Sequence, residues 1–521
     1  MSTLDYIIIG SYLTGLLLLG FVLRHQRNRQ DYFLAGRDLA WPALTLSVMA
    51  TQLSAVSFIS APAFVGLREG GGLLWLSYEL ALPVAVALML WKLMPTLHRI
   101  GVVSVYDFLE QRFSRFTRLL ISAVFQLSRS FATAIMIYAV SILLQSTMGI
   151  GQYVSLLAIG FITLIYSAMG GMKAVVYGDV IQMLLIVMGA AGCLWLGLDA
   201  IGGWDPVLAI VDPARLQAVN TSSFGVTGND FGLLPMLFGG VILYASYYGC
   251  DQSEAQRALS NSSVANLRKM LFAVAVLRFP IVLIYCLAGL VIGALVTTNT
   301  ELRQLIPADN PDWMMPVFIV HYLPSGMLGL LVVAIMAAAM SSLSSAINSL
   351  AAVTTEDIQR VRKIKLSDSQ YLKRARIAGV IWGIITLTLS LFAGEIAPTI
   401  IEAINKIGSV FYGPVLATFL LGVHSRRVSA KGVNIGLLTG VAVNLGLWLG
   451  GSELFWFWWN VTGFLTCICS AVFVSRITST KRTTLPSVTG LSMVEAVLLI
   501  SWAGGLIALC LSLPALLTLL A

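Results

Sequence analysis

Runs of about twenty mostly apolar residues, the length that crosses a bilayer as a helix, recur along the whole chain. They fall at 4–23, 41–66, 73–95, 119–148, 153–169, 180–200, 231–249, 271–297, 325–353, 377–393, 398–422, 432–450, 454–475 and 492–519. The pattern predicts an all-α membrane protein with about 14 transmembrane helices. Polar residues gather in the gaps between runs. The longest gaps on one side, near 201–230 and 298–324, are too short for an independent domain, so residues 1–521 read as a single membrane domain.

Composition and charge sharpen this picture. Hydrophobic residues make up 58% and charged residues 11%, far from the roughly one-quarter charged residues of a soluble domain. Basic residues are segregated: 26 of the 32 lysines and arginines fall in alternate gaps, at 24–39, 92–118, 170–179, 250–271, 356–376, 423–431 and 475–491. Short cytoplasmic loops hold such residues, which places both termini outside, in a plasma membrane (the inner membrane if bacterial). The opposite gaps hold only Arg68, Arg215 and Arg303, while Arg129, Arg278 and Lys406 lie within apolar runs. The net charge of +8 is thus an orientation signal. No basic and aromatic interleaving points to nucleic acid, and the run Arg360 to Arg376 reads as an ordinary positive-inside loop. Met1 to Asp5 has no basic n-region, so the first run is expected to be a retained span. The six cysteines lack zinc or disulfide spacing and read as packing residues.

Several chemistries drop out. There is no G-x-x-x-x-G-K-[ST] loop for nucleotide phosphates. His25, His98, His321 and His424 fall in gaps or near run ends without metal-ligand pairing, and none could serve a buried serine nucleophile. An enzyme is not indicated; a transporter or channel remains. Isolated charges and polar breaks within spans, in corresponding halves of the chain, favour a secondary transporter with a site near the midplane.

Two features carry candidate chemistry. Met336 to Ile358 reads MAAAMSSLSSAINSLAAVTTEDI, in which Ser341, Ser344 and Ser345 share one helix face and Ser342 lies beside them. This is either a small-residue packing seam or a sodium site. Asp179 opens the sixth span in GDVIQ, either as a carboxylate favoured at a helix N-terminus or as an ion ligand.

Four blocks resemble the sodium/solute symporter family: SVMATQLSAVSFISAPAF from Ser47, GGMKAVVYGDVIQM from Gly170, YYGCDQSEAQRAL from Tyr247 and SSAINSLAAVTTEDI from Ser344. That family includes sodium/glucose cotransporters, bacterial galactose and sialic acid symporters, and the iodide, multivitamin and monocarboxylate carriers. The resemblance runs from about residue 30 to 475. It implies a LeuT-type fold with two inverted five-helix repeats, 41–200 (spans 2–6) and 231–422 (spans 7–11), and peripheral C-terminal spans at 432–519. Substrate and ions would sit where the first helix of each repeat is broken. The polar clusters in those two helices are Thr51, Gln52, Ser54, Ser57 and Ser60, and Tyr244, Ser246, Tyr247 and Tyr248.

The resemblance further implies a coupling-ion site formed by the carbonyls of Ala50, Leu53 and Ala338 with the hydroxyls of Ser341 and Ser342. A second sodium would lie among Asp179, Ser341, Ser344 and Ser345, giving two sodium ions per substrate. Candidate substrate contacts are Gln52, Ser54, Ser57, Tyr78, Glu79, Arg129 and Tyr247. Tyr78 and Glu79 resemble the galactose symporter's tyrosine and acid, whereas a guanidinium such as Arg129 is the natural fork for a carboxylate. Glu79 alternatively forms an internal ion pair with Arg278, which is kept outside the primary site. Glu402 and Lys406 are spaced for an i,i+4 pair.

The expected function is sodium-coupled import of a small polar organic solute by alternating access, a sugar acid such as sialic acid or another carboxylate. Alternatives are a sodium-coupled neutral sugar, monocarboxylate or inorganic anion symporter, and an uncoupled uniporter or channel. Sodium ions, the small solute and the lipid bilayer are the expected partners.

Overall fold

The computed structural model describes residues 1–22, 35–102, 104–228, 231–364, 366–478 and 490–519. The basic gaps at 24–39 and 475–491 lie largely outside these residues. Among the described residues the chain is helical, with only three isolated β-bridges and no sheet. The main helices are α1 (Thr3–Val22), α2 (Trp41–Gln52), α3 (Ala55–Gly66), α4 (Leu73–Ile100), α5 (Arg115–Met148), α6 (Gln152–Ile201), α7 (Gly240–Cys250) and α8 (Gln252–Leu259). They continue as α9 (Val264–Thr298), α10 (Met327–Val361), α11 (Asp368–Ser390), α12 (Ile400–His424), α13 (Ala430–Leu449), α14 (Trp458–Ile477) and α15 (Met493–Leu519). Eight helices among the described residues are long and apolar enough to cross a membrane, nine if α2 and α3 count as one span.

Helix starts follow local chemistry. Ser114, Ser263 and Thr399 each accept a backbone N–H of the first turn at α5, α9 and α12, the usual means of satisfying orphan donors. Ser367 and Gln370 form a reciprocal capping box at α11. The start of α10 is capped from a distance, since Asp5 Oδ1 accepts the N–H groups of Gly326 and Gly329 at 2.7 and 2.8 Å.

Two helices are interrupted where the sequence turns polar. α2 and α3 meet at 54°, with Leu53 at ψ 64° and Ser54 extended at ψ −171°. Ser54 Oγ then accepts Val56 N–H at 3.3 Å and restarts the helix. Asp251, extended at ψ 125°, separates α7 from α8, and its carboxylate accepts Ser253 N–H at 2.8 Å. Short side chains that bond their own backbone compete with helical geometry, so both breaks are written locally.

One expected gap is absent. Residues 170–179 continue the helical backbone of α6, which runs unbroken from Gln152 to Ile201. No proline interrupts this stretch. Fifty helical residues correspond to about 75 Å of chain, more than twice the hydrocarbon thickness; Val175–Ile201 is its most apolar part.

The core is close-packed around α3 and α9. Gly289 and Gly293, four apart on α9, lie against Pro62 and Gly66 of α3, and a Cβ on either would come within 2.6 Å of that backbone. Such small-residue pairs let helices approach without side chains between them. This contact holds α3, the second half of the first broken helix, against α9, which carries Arg278.

Candidate functional site: a charged cavity beside the helix break

A cavity of about 70 Å³ lies at the level of the first break, walled by α3, α4, α5, α7, α9 and α12. All seven substrate contacts expected from sequence line it: Gln52, Ser54, Ser57, Tyr78, Glu79, Arg129 and Tyr247. Sequence reasoning missed Trp75, Asn405 and Tyr412, aromatic or amide groups whose helices point them inward without any local signal.

Arg278 also lines the cavity, correcting its exclusion from the site. Its Nε donates to Glu79 Oε2 at 2.6 Å and its Nη2 to Glu79 Oε1 at 3.0 Å. Its Nη1 donates to Gln52 Oε1 at 2.6 Å, and the Tyr248 hydroxyl donates to the same oxygen. Tyr244 completes the set, donating to Glu79 Oε1 at 2.9 Å. The internal-pair reading of Glu79 is therefore the one the structure holds, and the acid is already neutralised.

Arg129 is in a different condition. It is 2% exposed, its Nη1 lies 3.7 Å from Asp251 Oδ2, and its guanidinium sits 5.8 Å from the Tyr247 ring centroid. Nε and Nη2 have no hydrogen-bond partner among the described residues. A buried donor without a partner costs about 1–3 kcal/mol, more when charged, so this guanidinium is primed for an acceptor.

The serine face of α10 does meet the broken helix. Ser342 Oγ donates to Thr51 O, in the last turn of α2, at 3.3 Å. Ala50 and Leu53 are buried beside it. The side chains of Ala338 and Ser341 lie outside the described ones. Ser342 and Ser345 bond to other elements and not back onto their own turn, which is what a bare packing seam would not require.

At the expected second ion site the structure places a side chain. Asp179 is fully buried well inside α6, not at a helix N-terminus, which corrects that reading. Its Oδ2 accepts from Ser47 Oγ and, at 3.0 Å, from Arg257 Nη2. The same Nη2 reaches Ser345 Oγ at 2.7 Å, Arg257 Nε reaches Ser47 Oγ at 2.8 Å, and Nη1 reaches Ser253 O at 2.7 Å. Arg257 thus stands between Asp179 and Ser345. Sequence reasoning left it among the positive-inside residues because it follows the second break.

Two further expectations change. Glu402 pairs with Arg68 of the α3–α4 connection, at 2.8 Å to Nη2, and not with Lys406, whose Nζ lies 5.4 Å from the Trp448 ring centroid. Arg360 is no free loop charge: it bonds Asp107 at 2.9 Å and Glu110 at 2.7 Å.

Broken helices around an enclosed charged cavity, with hydroxyls set against the first break, define an ion-coupled secondary transporter of LeuT type. The sodium:solute symporter family profile matches residues 32–440, and the chain belongs to that family. It is a sodium-coupled symporter, a multi-pass membrane protein, and its relatives are transporters, not enzymes. It is 28% identical over 479 residues to the sodium/sialic acid symporter NanT of Aliivibrio fischeri, covering 90% of this chain and 92% of that protein. It is 29% identical over 443 residues to the human sodium/iodide cotransporter, covering 84% and 68%. Its structure superposes on a substrate-bound, outward-open Na+-coupled sialic acid symporter with a TM-score of 0.82 at 26% identity, covering 92% of this chain and all of the other. A TM-score of 0.51 with MhsT at 17% identity reflects the shared fold alone.

Proposed function

We propose that this symporter imports a small polar carboxylate, a sugar acid such as sialic acid, by alternating access, with both termini outside the plasma membrane. One observation carries the reading: Arg129, which lines the cavity, has two buried nitrogens, Nε and Nη2, without a hydrogen-bond partner among the described residues, while Glu79, the acid among the described residues that line the cavity, is bound to Arg278. A carboxylate would complete Arg129 through a bidentate pair. Ser54, Ser57 and Asn405 on the same walls supply partners for hydroxyl groups, which favours a sugar acid over a bare anion. At about 70 Å³ the cavity falls short of the ~300 Å³ of ordinary organic-ligand sites, so binding goes with separation of its walls. The likeness to sialic acid symporters supports the same solute class. The likeness to the iodide carrier favours a second reading, a small monocarboxylate or inorganic anion that uses Arg129 alone.

Sodium at the first site would be held by the carbonyls of Ala50, Leu53 and Ala338 and the hydroxyls of Ser341 and Ser342. The Ser342–Thr51 contact supports this placement. A second sodium among Asp179, Ser341, Ser344 and Ser345 requires Arg257 to leave Asp179 first. Two ions per substrate would then bind in sequence with that movement. Each inward charge supplies about 2.3 kcal/mol at 100 mV. The matching breaks at Leu53–Ser54 and at Asp251 support the inverted repeats 41–200 and 231–422, with 432–519 peripheral.

The test is uptake into proteoliposomes of the purified protein. Sodium-driven uptake of sialic acid, blocked by other carboxylates and indifferent to neutral sugars, is expected. Neutral-sugar uptake without competition from carboxylates would overturn the reading, and passive equilibration unaffected by sodium would identify a uniporter.

A further inference from the structure

Where α2, α9 and α15 begin, the perimeter of the bundle carries an open groove of about 1070 Å³. Its floor is a stripe of α9 that runs from Val264 to Leu277 with positions recurring every four residues, so that they share one helix face. Trp41, the first residue of α2, and Leu498 of α15 wall it. The lining is apolar except for Arg268, Lys269 and Glu495, which stand together near the helix starts.

The charges at this end do not cancel. Arg268 Nη1 donates to Glu495 Oε2 at 3.3 Å and its Nη2 to Gly490 O at 2.7 Å. Glu495 Oε2 also accepts the Ser492 N–H at 2.8 Å, so the charge of the acid is already met. Lys269 is exposed and takes part in no hydrogen bond or ion pair among the described residues. The groove therefore ends in one uncompensated positive charge.

We propose that this groove seats one anionic phospholipid of the cytoplasmic leaflet, its phosphate at Lys269 beside Arg268 and an acyl chain along the α9 stripe. From Lys269 to Leu277 the helix descends about 12 Å, close to the depth of one leaflet in a hydrocarbon core of about 30 Å. Trp41 stands at the level where tryptophan rings anchor in the interface. Basic residues set between helices on the cytoplasmic side attract anionic headgroups, and the sequence assigns the basic gaps 250–271 and 475–491 to that side. A zwitterionic lipid would cover the same apolar floor but bring its own cation next to Lys269. A free phosphate would meet the charge and leave the apolar stripe bare.

The position gives the lipid leverage on the transport core. Leu277, 46% exposed, lines the groove, whereas the next residue, Arg278, lines the substrate cavity on the opposite face of α9. α2, which starts at Trp41, ends at the first break. Trp502 of α15 donates its indole N–H to Ala275 O of α9 at 3.1 Å. A lipid in the groove thus touches two helices that reach the cavity and the helix packed outside them.

The cytoplasmic placement rests on the orientation proposed above, whereas the binding test depends neither on it nor on the solute. Phosphatidylglycerol is titrated into the purified full-length protein in neutral detergent, against phosphatidylcholine with the same chains. Native mass spectrometry counts retained lipid, and melting temperature is followed in parallel. One retained phosphatidylglycerol is expected, with a rise in melting temperature that phosphatidylcholine does not produce. Lys269→Gln should raise the half-saturating phosphatidylglycerol concentration about fivefold, the worth of one basic residue near an anionic surface. Lys269→Glu should raise it further and Lys269→Arg should preserve binding. Lys431→Gln, at an exposed position in the first turn of α13, should leave it unchanged. Ala273→Trp fills the apolar floor while keeping both cations, and it too should weaken retention. Equal retention of the two lipids, an equal response to inorganic phosphate, a loss in Lys431→Gln as large as in Lys269→Gln, or retention indifferent to Ala273→Trp would overturn the proposal.

Discussion

Arg278 and Arg129 line one cavity in opposite electrostatic conditions. Every nitrogen of Arg278 has a partner, two of them on Glu79 and one on Gln52. Arg129 has an ion pair at 3.7 Å, and its Nε and Nη2 have no hydrogen-bond partner among the described residues. A satisfied buried pair is scaffolding, since removing one partner strands the other charge in the wall that carries it. An unsatisfied one leaves free energy to be gained only when a ligand arrives. Charge within a membrane span is therefore informative chiefly through its partners: the same residue type serves structure in one place and recognition in the other.

Removing each charge separately breaks the comparison at its strongest point. Arg129→Ala should raise the half-saturating concentration of the proposed carboxylate by about 10²–10⁴-fold, the value of two charge-assisted hydrogen bonds, while lowering the melting temperature less than Glu79→Gln does, because the contact it breaks with Asp251 is a single one at 3.7 Å. Arg129→Lys should recover only part, because an ammonium lacks the planar fork. If both variants transport normally, the unsatisfied guanidinium is not the recognition element.

Glu79→Gln should do the reverse. It strands Arg278 in a buried wall, at a cost of about 3–5 kcal/mol, and should lower the melting temperature measurably even without substrate. A stable Glu79→Gln protein that merely loses affinity would instead make Glu79 a direct substrate ligand.

Smaller effects are expected at the ion sites. Ser342→Ala removes a hydroxyl worth about 1–2 kcal/mol and should raise the sodium half-saturation about tenfold, with substrate affinity at saturating sodium preserved. Asp179→Ala should lower sodium cooperativity towards one and reduce the charge moved per substrate in reconstituted vesicles. Unchanged values of both would rule out the second sodium and leave Asp179 and Arg257 as a purely structural pair.

Much of the site could be read along the chain. Gln52, Ser54 and Ser57 interrupt an apolar run, and the local bonding of Ser54 and Asp251 breaks the helices where polarity rises. Arg129 was legible because a charge in hydrocarbon needs a reason, whereas Tyr78, Glu79 and Tyr247 were legible through the resemblance to the symporter family. Arg257 was not, since it follows a break and resembles any inner-loop arginine until α8 folds it back onto Asp179. The Glu402–Lys406 spacing obeyed the i,i+4 rule and still lost to Arg68, 334 residues away in the chain. The gap at 170–179 is wound into helix because glycines weaken a helix far less than proline does.

The order of apolar runs, the orientation signal in the lysines and arginines, and the two polar interruptions were determined by the sequence itself, because each depends on neighbours within a few turns. Only the tertiary structure decided which charge meets which: Glu79 with Arg278, Asp179 with Arg257, Glu402 with Arg68. The interaction between charges depends on their separation in space and on what water is excluded between them, and neither quantity is a function of distance along the chain.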